Sequence, residues 1–197
     1  MKPVFLDRDG VISIFTPNDY LKTWSEFQFL PDAISGLQKL SGAGFNIVIV
    51  SNQAGVSKGI FSEHDLNDIT EKMLAKLKKH SINILKVYYC IHKTEDNCNC
   101  RKPKTGMIEK FISEYGDFER SESFFVGDSD IDIELGSKAG MKTILVLSGK
   151  TKSAEETESW NYRPDFIVKN LKEAADIIIN HSKGENHGKE NQGSGLE

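Results

Sequence analysis

The chain has 197 residues, of which 38% are hydrophobic and 27% charged, and its formal net charge is −4. This length suits one domain with a complete core, and the mild acidity gives no electrostatic reason to expect nucleic acid or a membrane surface as a partner. No apolar stretch approaches the roughly 20 residues that span a bilayer, and the first predicted strand leaves no room for a secretory signal, so we expect a cytoplasmic protein.

Apolar runs alternate with helical patterns along the chain. The predicted strands are Pro3 to Leu6, Asn46 to Val50, Lys86 to Ile91, Ser123 to Val126, Lys142 to Leu147 and Asp165 to Val168. Helical spacing begins near Ala33, after Ser62 as an N-cap, near Gly106, at Ile131 and at Leu171, and the last helix is predicted to end at Ile179. Strands that alternate with helices indicate an α/β fold with a parallel sheet between two layers of helices.

Two stretches interrupt this alternation within a single predicted domain of residues 1–180. Residues 13–30 carry aromatic residues without clear periodicity, and we expect them to form a flap over the carboxyl end of the sheet. Residues 90–105 form a loop that contains all the cysteines. Residues 181–197 contain no Phe, Trp or Tyr and are rich in Gly, Asn, Lys, Glu and Ser, so we expect a disordered tail.

The first predicted strand delivers two carboxylates to a turn at Gly10. Side chains alternate between the faces of a strand, so Asp7 and Asp9 should share one face and Arg8 should take the other. Two carboxylates this close repel each other unless a cation lies between them or one is protonated. The pair suits Mg²⁺, which binds one or two carboxylates and keeps its other positions for water and phosphate. Taken alone, a solvated acidic turn explains the pair equally well.

Other polar side chains follow the later strands, and ligands bind at this edge of a parallel sheet. The run Ser51-Asn52-Gln53 supplies a hydroxyl and amides suited to phosphate oxygens. Lys102 offers a point charge for a phosphoryl group, and Arg101 can form a fork on a second phosphate. Asp128 follows the fourth predicted strand, where it could complete the metal site that Asp7 and Asp9 begin after the first strand. Each group alone also fits a solvated polar turn.

The cysteine loop is a candidate metal site. An odd number of cysteines in so short a stretch argues against a disulfide framework. Cys90, His92, Cys98 and Cys100 supply three thiolates and an imidazole, a set that holds Zn²⁺ tetrahedrally and leaves no open position. We therefore expect a structural zinc site, which would also fix the run Arg101-Lys102 that follows it directly.

At Asp7-x-Asp9, Ser51, Lys102 and Gly127-Asp128-x-x-x-Asp132, the chain resembles the haloacid dehalogenase superfamily of phosphatases. The resemblance implies a three-layer sandwich with a mainly parallel Rossmann-like sheet. It also implies that Asp7 forms an aspartyl-phosphate and that Asp9 acts first as acid and then as base. Ser51 and Lys102 would hold the phosphoryl oxygens, and Asp132 would position Lys102 or the metal shell. Mg²⁺ would be bound by Asp7, by the main-chain carbonyl of Asp9 and by Asp128.

The segment from Cys90 to Lys104 resembles two related families of this superfamily, the D-glycero-D-manno-heptose 1,7-bisphosphate phosphatases and the histidinol-phosphatases. Both belong to the branch with minimal caps made of loops. The segment from Ser51 to Glu63 favours the heptose enzymes, whereas Ser13 and Ile91 depart from the asparagine and proline that the family often has there.

The resemblance therefore implies removal of the C7 phosphate from the heptose bisphosphate, on the way to nucleotide-activated heptose. Histidinol phosphate is the alternative substrate. The side chains that the resemblance implies for substrate binding, including extra cations for the phosphate that is retained, are Asn52, Gln53, Lys58 and Arg101.

We expect a monomer that acts on a small sugar phosphate, with Mg²⁺ as the catalytic and Zn²⁺ as the structural cofactor. A catalytically silent zinc-binding scaffold is the alternative from another class of protein, and the intact set Asp7, Asp9, Lys102 and Asp128 argues against it. A nucleic-acid 3′-phosphatase is disfavoured because the sequence has no basic patch interleaved with aromatic residues.

Overall fold

The structure is a computed structural model that describes residues 1–190. The strands of the sheet are β1 (Pro3–Leu6), β2 (Asn46–Asn52), β3 (Ile84–Cys90), β4 (Phe124–Gly127), β5 (Lys142–Val146) and β6 (Phe166–Val168). The α-helices are α1 (Ala33–Gly42), α2 (Glu63–Lys79), α3 (Gly106–Tyr115), α4 (Asp130–Lys138) and α5 (Leu171–Glu190).

All neighbouring strands pair in parallel, in the order β3-β2-β1-β4-β5-β6. The direction of winding reverses between β1 and β4, and ligands of such sheets bind in the crevice beyond the carboxyl ends of the strands at this point. The polar residues that follow β1, β2 and β4 are therefore brought to one edge of the sheet. The predicted α/β fold with a Rossmann-like parallel sheet is confirmed.

Helices cover both faces of the sheet, and the alternation of side chains on β1 divides the core between them. Val4 and Leu6 pack in a cluster with side chains of α1, α2 and α5. Phe5 points to the other face, where it packs with side chains of α3 and α4 such as Phe111 and Leu135. Burial on both faces explains why the central strands are almost entirely apolar.

The C-terminal helix differs from the expectation. It extends to Glu190 rather than ending at Ile179, so residues 181–190 are helical where disorder was predicted. No proline follows Pro164 in the sequence, and a polar composition by itself does not end a helix that is already nucleated on the core. Residues 191–197 of the predicted tail lie outside the described residues.

The predicted flap is a loop closed at its base by main-chain hydrogen bonds. The Ile14 amide donates to the Gln28 carbonyl at 2.9 Å, and the Leu30 amide donates to the Ile12 carbonyl at 2.9 Å. Its second half is anchored in the core, where the rings of Trp24 and Phe27 stack with centroids 5.1 Å apart. Its first half is left to face the carboxyl end of the sheet.

Within residues 1–190, no helix is long and apolar enough to cross a membrane.

Candidate active site

Lys102 joins two of the carboxylates at the strand ends. Its Nζ lies 2.9 Å from Oδ2 of Asp7 and 2.7 Å from Oδ1 of Asp132, and it donates to the Val50 carbonyl at 3.1 Å. The ammonium is buried, which opposes its charge, but Asp132 and Asp7 together raise the pKa of Lys102 above its usual value. The lysine is therefore held as a cation directly beside Asp7.

The side chains of Asp7, Asp128 and Asp132 offer carboxylate oxygens that all lie within 4.8 Å of one another. Burial raises the pKa of Asp7 to about 6, with Lys102 opposing and the other acids adding to the effect. Burial also raises the pKa of Asp128 well above its usual value, and Asp132 and Asp7 raise it further. Buried carboxylates that lie close together are stable in their ionised form when a cation binds between them. This group of carboxylate oxygens therefore suits Mg²⁺.

Two glycines make room for the carboxylate of Asp128. A Cβ built on either Gly10 or Gly149 would overlap its oxygen Oδ2. The main-chain amide of Lys150 donates to the same oxygen at 2.6 Å, and Ser129 donates its hydroxyl to Asp132 at 2.6 Å. The main chain after β5 thus fixes Asp128, and the side chain of Ser129 fixes Asp132.

Asp9 accepts hydrogen bonds from several side chains. Its Oδ1 accepts from Nε of Arg8 at 3.0 Å and from the Ser13 hydroxyl at 2.8 Å. Its Oδ2 accepts from Nη2 of Arg8 at 2.9 Å and from the Gln53 amide at 2.8 Å. Burial opposes ionisation, but Arg8 and the hydrogen bonds from Ser13 and Gln53 outweigh it and lower the pKa of Asp9.

The residues Ser51, Asn52 and Gln53, at the carboxyl end of β2, lie beside these acids. Ser51 is buried within the strand, and its hydroxyl accepts from the Gln53 amide at 3.2 Å. Asn52 holds the main chain of Lys102: its Oδ1 accepts from the lysine amide at 3.0 Å, and its Nδ2 donates to the lysine carbonyl at 3.2 Å. Asn52 and Gln53 were predicted to bind substrate; in the structure Asn52 positions Lys102 and Gln53 positions Asp9.

A cleft of about 170 Å³ opens over these groups. Its walls are formed by the strand ends and by the first half of the flap, and its lining residues are Asp7, Asp9, Phe15, Thr16, Asp19, Tyr20, Leu21, Ser51, Asn52, Lys102, Asp128, Ser129, Ile131 and Lys150. The sequence analysis predicted the flap but assigned none of its individual residues to the site, and it missed Lys150. Lys150 follows β5, as Asp128 follows β4, so its place after the end of a strand was the signal in the sequence that could have identified it.

Three of the side chains that were predicted to bind substrate, those of Gln53, Lys58 and Arg101, lie outside this lining. Lys58 is exposed, and its Nζ lies 3.2 Å from the hydroxyl of Tyr20 on the flap. Arg101 donates from Nη1 to the carbonyl of His92 at 3.3 Å, toward the cysteine loop.

The four predicted ligands of the cysteine loop converge on one another. The Sγ atoms of Cys90, Cys98 and Cys100 are separated by 3.2 to 3.6 Å. Nδ1 of His92 lies 3.7 Å from the first of these sulfurs and 3.3 Å from the last. The cluster has the composition and the size of a metal site, and Cys100 connects it through a single peptide bond to Arg101.

Comparisons with known proteins show which families the chain is similar to. A family model described as HAD-hydrolase-like matches residues 99–174. A D-glycero-beta-D-manno-heptose-1,7-bisphosphate 7-phosphatase of Pasteurella multocida is 37% identical over 174 residues, which cover 85% of this chain and 93% of that protein. A probable D-glycero-D-manno-heptose-1,7-bisphosphate 7-phosphatase of Thermoplasma volcanium is 40% identical over 139 residues, which cover 70% of this chain and 93% of that protein.

Among solved structures, the D,D-heptose 1.7-bisphosphate phosphatase from B. bronchiseptica, complexed with magnesium and phosphate, superposes with a TM-score of 0.84 at 28% identity. The superposition covers 91% of this chain and 99% of that one.

Proposed function

Because the chain belongs to the family of haloacid dehalogenase-like phosphatases that includes the heptose-bisphosphate 7-phosphatases, we propose that it removes the 7-phosphate of D-glycero-D-manno-heptose 1,7-bisphosphate. The observation that carries the chemistry is the carboxylate of Asp7, which lines the cleft with the ammonium of Lys102 at 2.9 Å. A carboxylate beside a fixed cation is suited to attack phosphorus, because the cation offsets the repulsion between two anions.

In the first step Asp7 attacks the phosphorus, and the bond between phosphorus and the sugar oxygen breaks as the aspartyl-phosphate forms. The resemblance assigns Asp9 as the acid that protonates the departing sugar oxygen. Because Arg8, Ser13 and Gln53 keep Asp9 ionised, Asp9 exchanges some of these hydrogen bonds for a proton from solvent before this step. In the second step Asp9 takes a proton from water, whose oxygen attacks phosphorus and releases Asp7 with inorganic phosphate. Lys102 and the Ser51 hydroxyl hold the phosphoryl oxygens throughout, which keeps the reacting atoms in line.

Asp7, Asp128 and the main-chain carbonyl of Asp9 would hold Mg²⁺. When bound, the ion supplies positive charge that offsets the negative charge of the phosphoryl group. Asp132 already pairs with Lys102 and Ser129, so we assign it to positioning the lysine rather than to the metal. The raised pKa values of Asp7 and Asp128 support a cation between them.

We propose that the cysteine loop binds Zn²⁺ through Cys90, His92, Cys98 and Cys100. Zn–S bonds of about 2.3 Å in a tetrahedron place the sulfurs about 3.8 Å apart, close to the separations in the loop. All four ligands come from the protein, so the ion has a structural role. Its contribution to activity would be to fix the main chain that leads from Cys100 into Lys102.

The remaining parts of the proposal are that the chain acts as a monomer in the cytoplasm and that Asn52, Gln53, Lys58 and Arg101 contribute to substrate binding. Three cysteines close together without a disulfide fit a reducing compartment.

The substrate is tested by phosphate release from both anomers of the heptose bisphosphate and from histidinol phosphate, with kcat/KM measured for each. We expect kcat/KM for one anomer of the bisphosphate to exceed that for histidinol phosphate by at least about tenfold. This ratio corresponds to a difference of about 1.4 kcal/mol in the free energy of transition-state binding. Comparable or faster turnover of histidinol phosphate would overturn the assignment in favour of the alternative enzyme. Absence of phosphate release from every compound would favour the non-catalytic scaffold.

A further inference from the structure

Lys150 lines the cleft and lies in the loop that follows β5. Its main chain is fixed, because its amide donates to Oδ2 of Asp128 at 2.6 Å and the next amide, that of Thr151, donates to the Asp128 carbonyl at 3.1 Å. Its side chain remains 58% exposed. The main chain of Lys150 is therefore fixed against Asp128, while its side chain is open to a ligand.

Most of the charged side chains that line the cleft already have a charged partner. Four carboxylates line it, those of Asp7, Asp9, Asp19 and Asp128, against the ammonium groups of Lys102 and Lys150. Lys102 is engaged between Asp7 and Asp132. Asp9 is paired with Arg8 and Asp19 with Lys22, and Asp7 and Asp128 are the acids that would hold Mg²⁺. Of the two lysines in this lining, Lys150 is therefore the one that is open to an anionic group of the substrate away from Asp7.

The present partner of Lys150 can be replaced. Its Nζ lies 3.4 Å from Oδ1 of Asp130, and both side chains are more than half exposed. Exposed ion pairs of this kind contribute little to stability, so a phosphate with two negative charges can displace Asp130 from the ammonium. By contrast, Arg101 is turned toward the His92 carbonyl and Lys58 toward Tyr20.

We propose that Lys150 binds the phosphate that the substrate retains, and so selects bisphosphates over monophosphates. The inference rests on the proposed function, because a retained phosphate exists only if the substrate carries two. While Asp7 and Lys102 engage the phosphate that is transferred, the sugar spans the cleft and its second phosphate lies against the wall that carries Lys150. Lysine suits this role because it acts as a point charge and needs no planar geometry.

The test compares kcat/KM for the heptose bisphosphate with kcat/KM for p-nitrophenyl phosphate, which has one phosphate, and uses the ratio of the two as the readout. For Lys150→Gln we expect the ratio to fall roughly 10- to 100-fold, since a hydrogen-bonded charge is lost. Lys150→Arg should recover most of the ratio because it restores the charge. The matched control is Lys152→Gln, an exposed lysine of the same loop that does not line the cleft, and it should keep the wild-type ratio.

A wild-type enzyme that prefers the bisphosphate while Lys150→Gln keeps the full preference would overturn this inference and leave the proposed function standing. If Lys58→Gln or Arg101→Gln loses the preference for the bisphosphate and Lys150→Gln keeps it, the inference is also overturned. The retained phosphate is then assigned to Lys58 or Arg101. A wild-type enzyme with no preference for the bisphosphate would refute both the inference and the proposed substrate.

Discussion

The guanidinium of Arg8 forms a bidentate pair, or fork, with the carboxylate of Asp9: Nε donates to Oδ1 at 3.0 Å and Nη2 donates to Oδ2 at 2.9 Å. Arg8 is completely buried, and its guanidinium carbon lies 5.5 Å from the centroid of the Tyr89 ring. The hydroxyl of that tyrosine is in turn 2.9 Å from the hydroxyl of Thr70 on α2. The proposed acid and base is thus oriented by a residue from within the core.

Replacing Arg8 should therefore harm both stability and activity. Arg8→Met leaves the partly buried Asp9 without its counter-charge, and we expect a loss of about 2 kcal/mol in the free energy of unfolding, less than for a fully buried pair because a quarter of the Asp9 side chain is exposed. Arg8→Lys keeps the positive charge but cannot form the bidentate pair. Relative to Arg8→Met, it should therefore restore more of the free energy of unfolding than of kcat/KM. Urea unfolding and steady-state kinetics measure the two effects. Wild-type kcat/KM in Arg8→Met would show that the fork does not orient Asp9 for catalysis.

Asn52 offers a test of how Lys102 is positioned. Asn52→Ala removes both hydrogen bonds to the main chain of Lys102, and we expect kcat/KM to fall roughly 10- to 100-fold, as two hydrogen bonds of about 1 kcal/mol each would produce. Asn46, at the other end of β2, is the matched control because its side chain accepts from the Lys2 amide, far from the site. If Asn46→Ala and Asn52→Ala lower kcat/KM equally, the positioning role is wrong.

Gly149 tests the space that Asp128 requires. Gly149→Ala would drive a methyl group into the Asp128 carboxylate, and we expect kcat/KM to fall at least about 100-fold with weaker binding of Mg²⁺. Gly42→Ala is the control, since no atom lies within 4 Å of its added Cβ, and it should retain activity. Isothermal titration with Mg²⁺ and kinetics measure the two effects. An unchanged Mg²⁺ affinity in Gly149→Ala would contradict the assignment of Asp128 as a ligand.

The cysteine loop should carry about one zinc ion per chain, measurable by elemental analysis of protein purified without added metal. Cys98→Ser removes one ligand, so we expect loss of the zinc and a lower melting temperature. We also expect a lower kcat/KM, because the main chain that leads from Cys100 to Lys102 is no longer fixed. Ser113→Ala, at an exposed position of α3, serves as the control. Protein that is fully active and contains no zinc would contradict the proposed site.

Much of the fold follows from local patterns in the sequence. The apolar runs predict every strand within two residues at its start, and the capping box of Ser62 and Asp65 begins α2 where the sequence indicates. The sequence also places Asp7 and Lys102 at one edge of the sheet, because parallel strands end together. These features depend on periodicity and chain direction, which the sequence carries explicitly.

The contacts between side chains could not be predicted in this way. Alternation separates Arg8 from Asp9, but β1 ends at Leu6, and beyond it the turn allows the long arginine to reach the carboxylate of its neighbour. Likewise, nothing local shows that Arg101 turns toward His92 while Lys150 lines the cleft. Such choices depend on how loops from distant parts of the chain pack together.

The most direct test of the account is Asp7→Asn, assayed by phosphate release from the heptose bisphosphate. Asparagine keeps the size of the side chain but is a far weaker nucleophile, so we expect the rate to fall at least about 1000-fold, while the folded structure remains intact by circular dichroism. Asp117→Asn, at an exposed acid outside the cleft, should retain the wild-type rate. Phosphate release by Asp7→Asn at the wild-type rate would contradict the account.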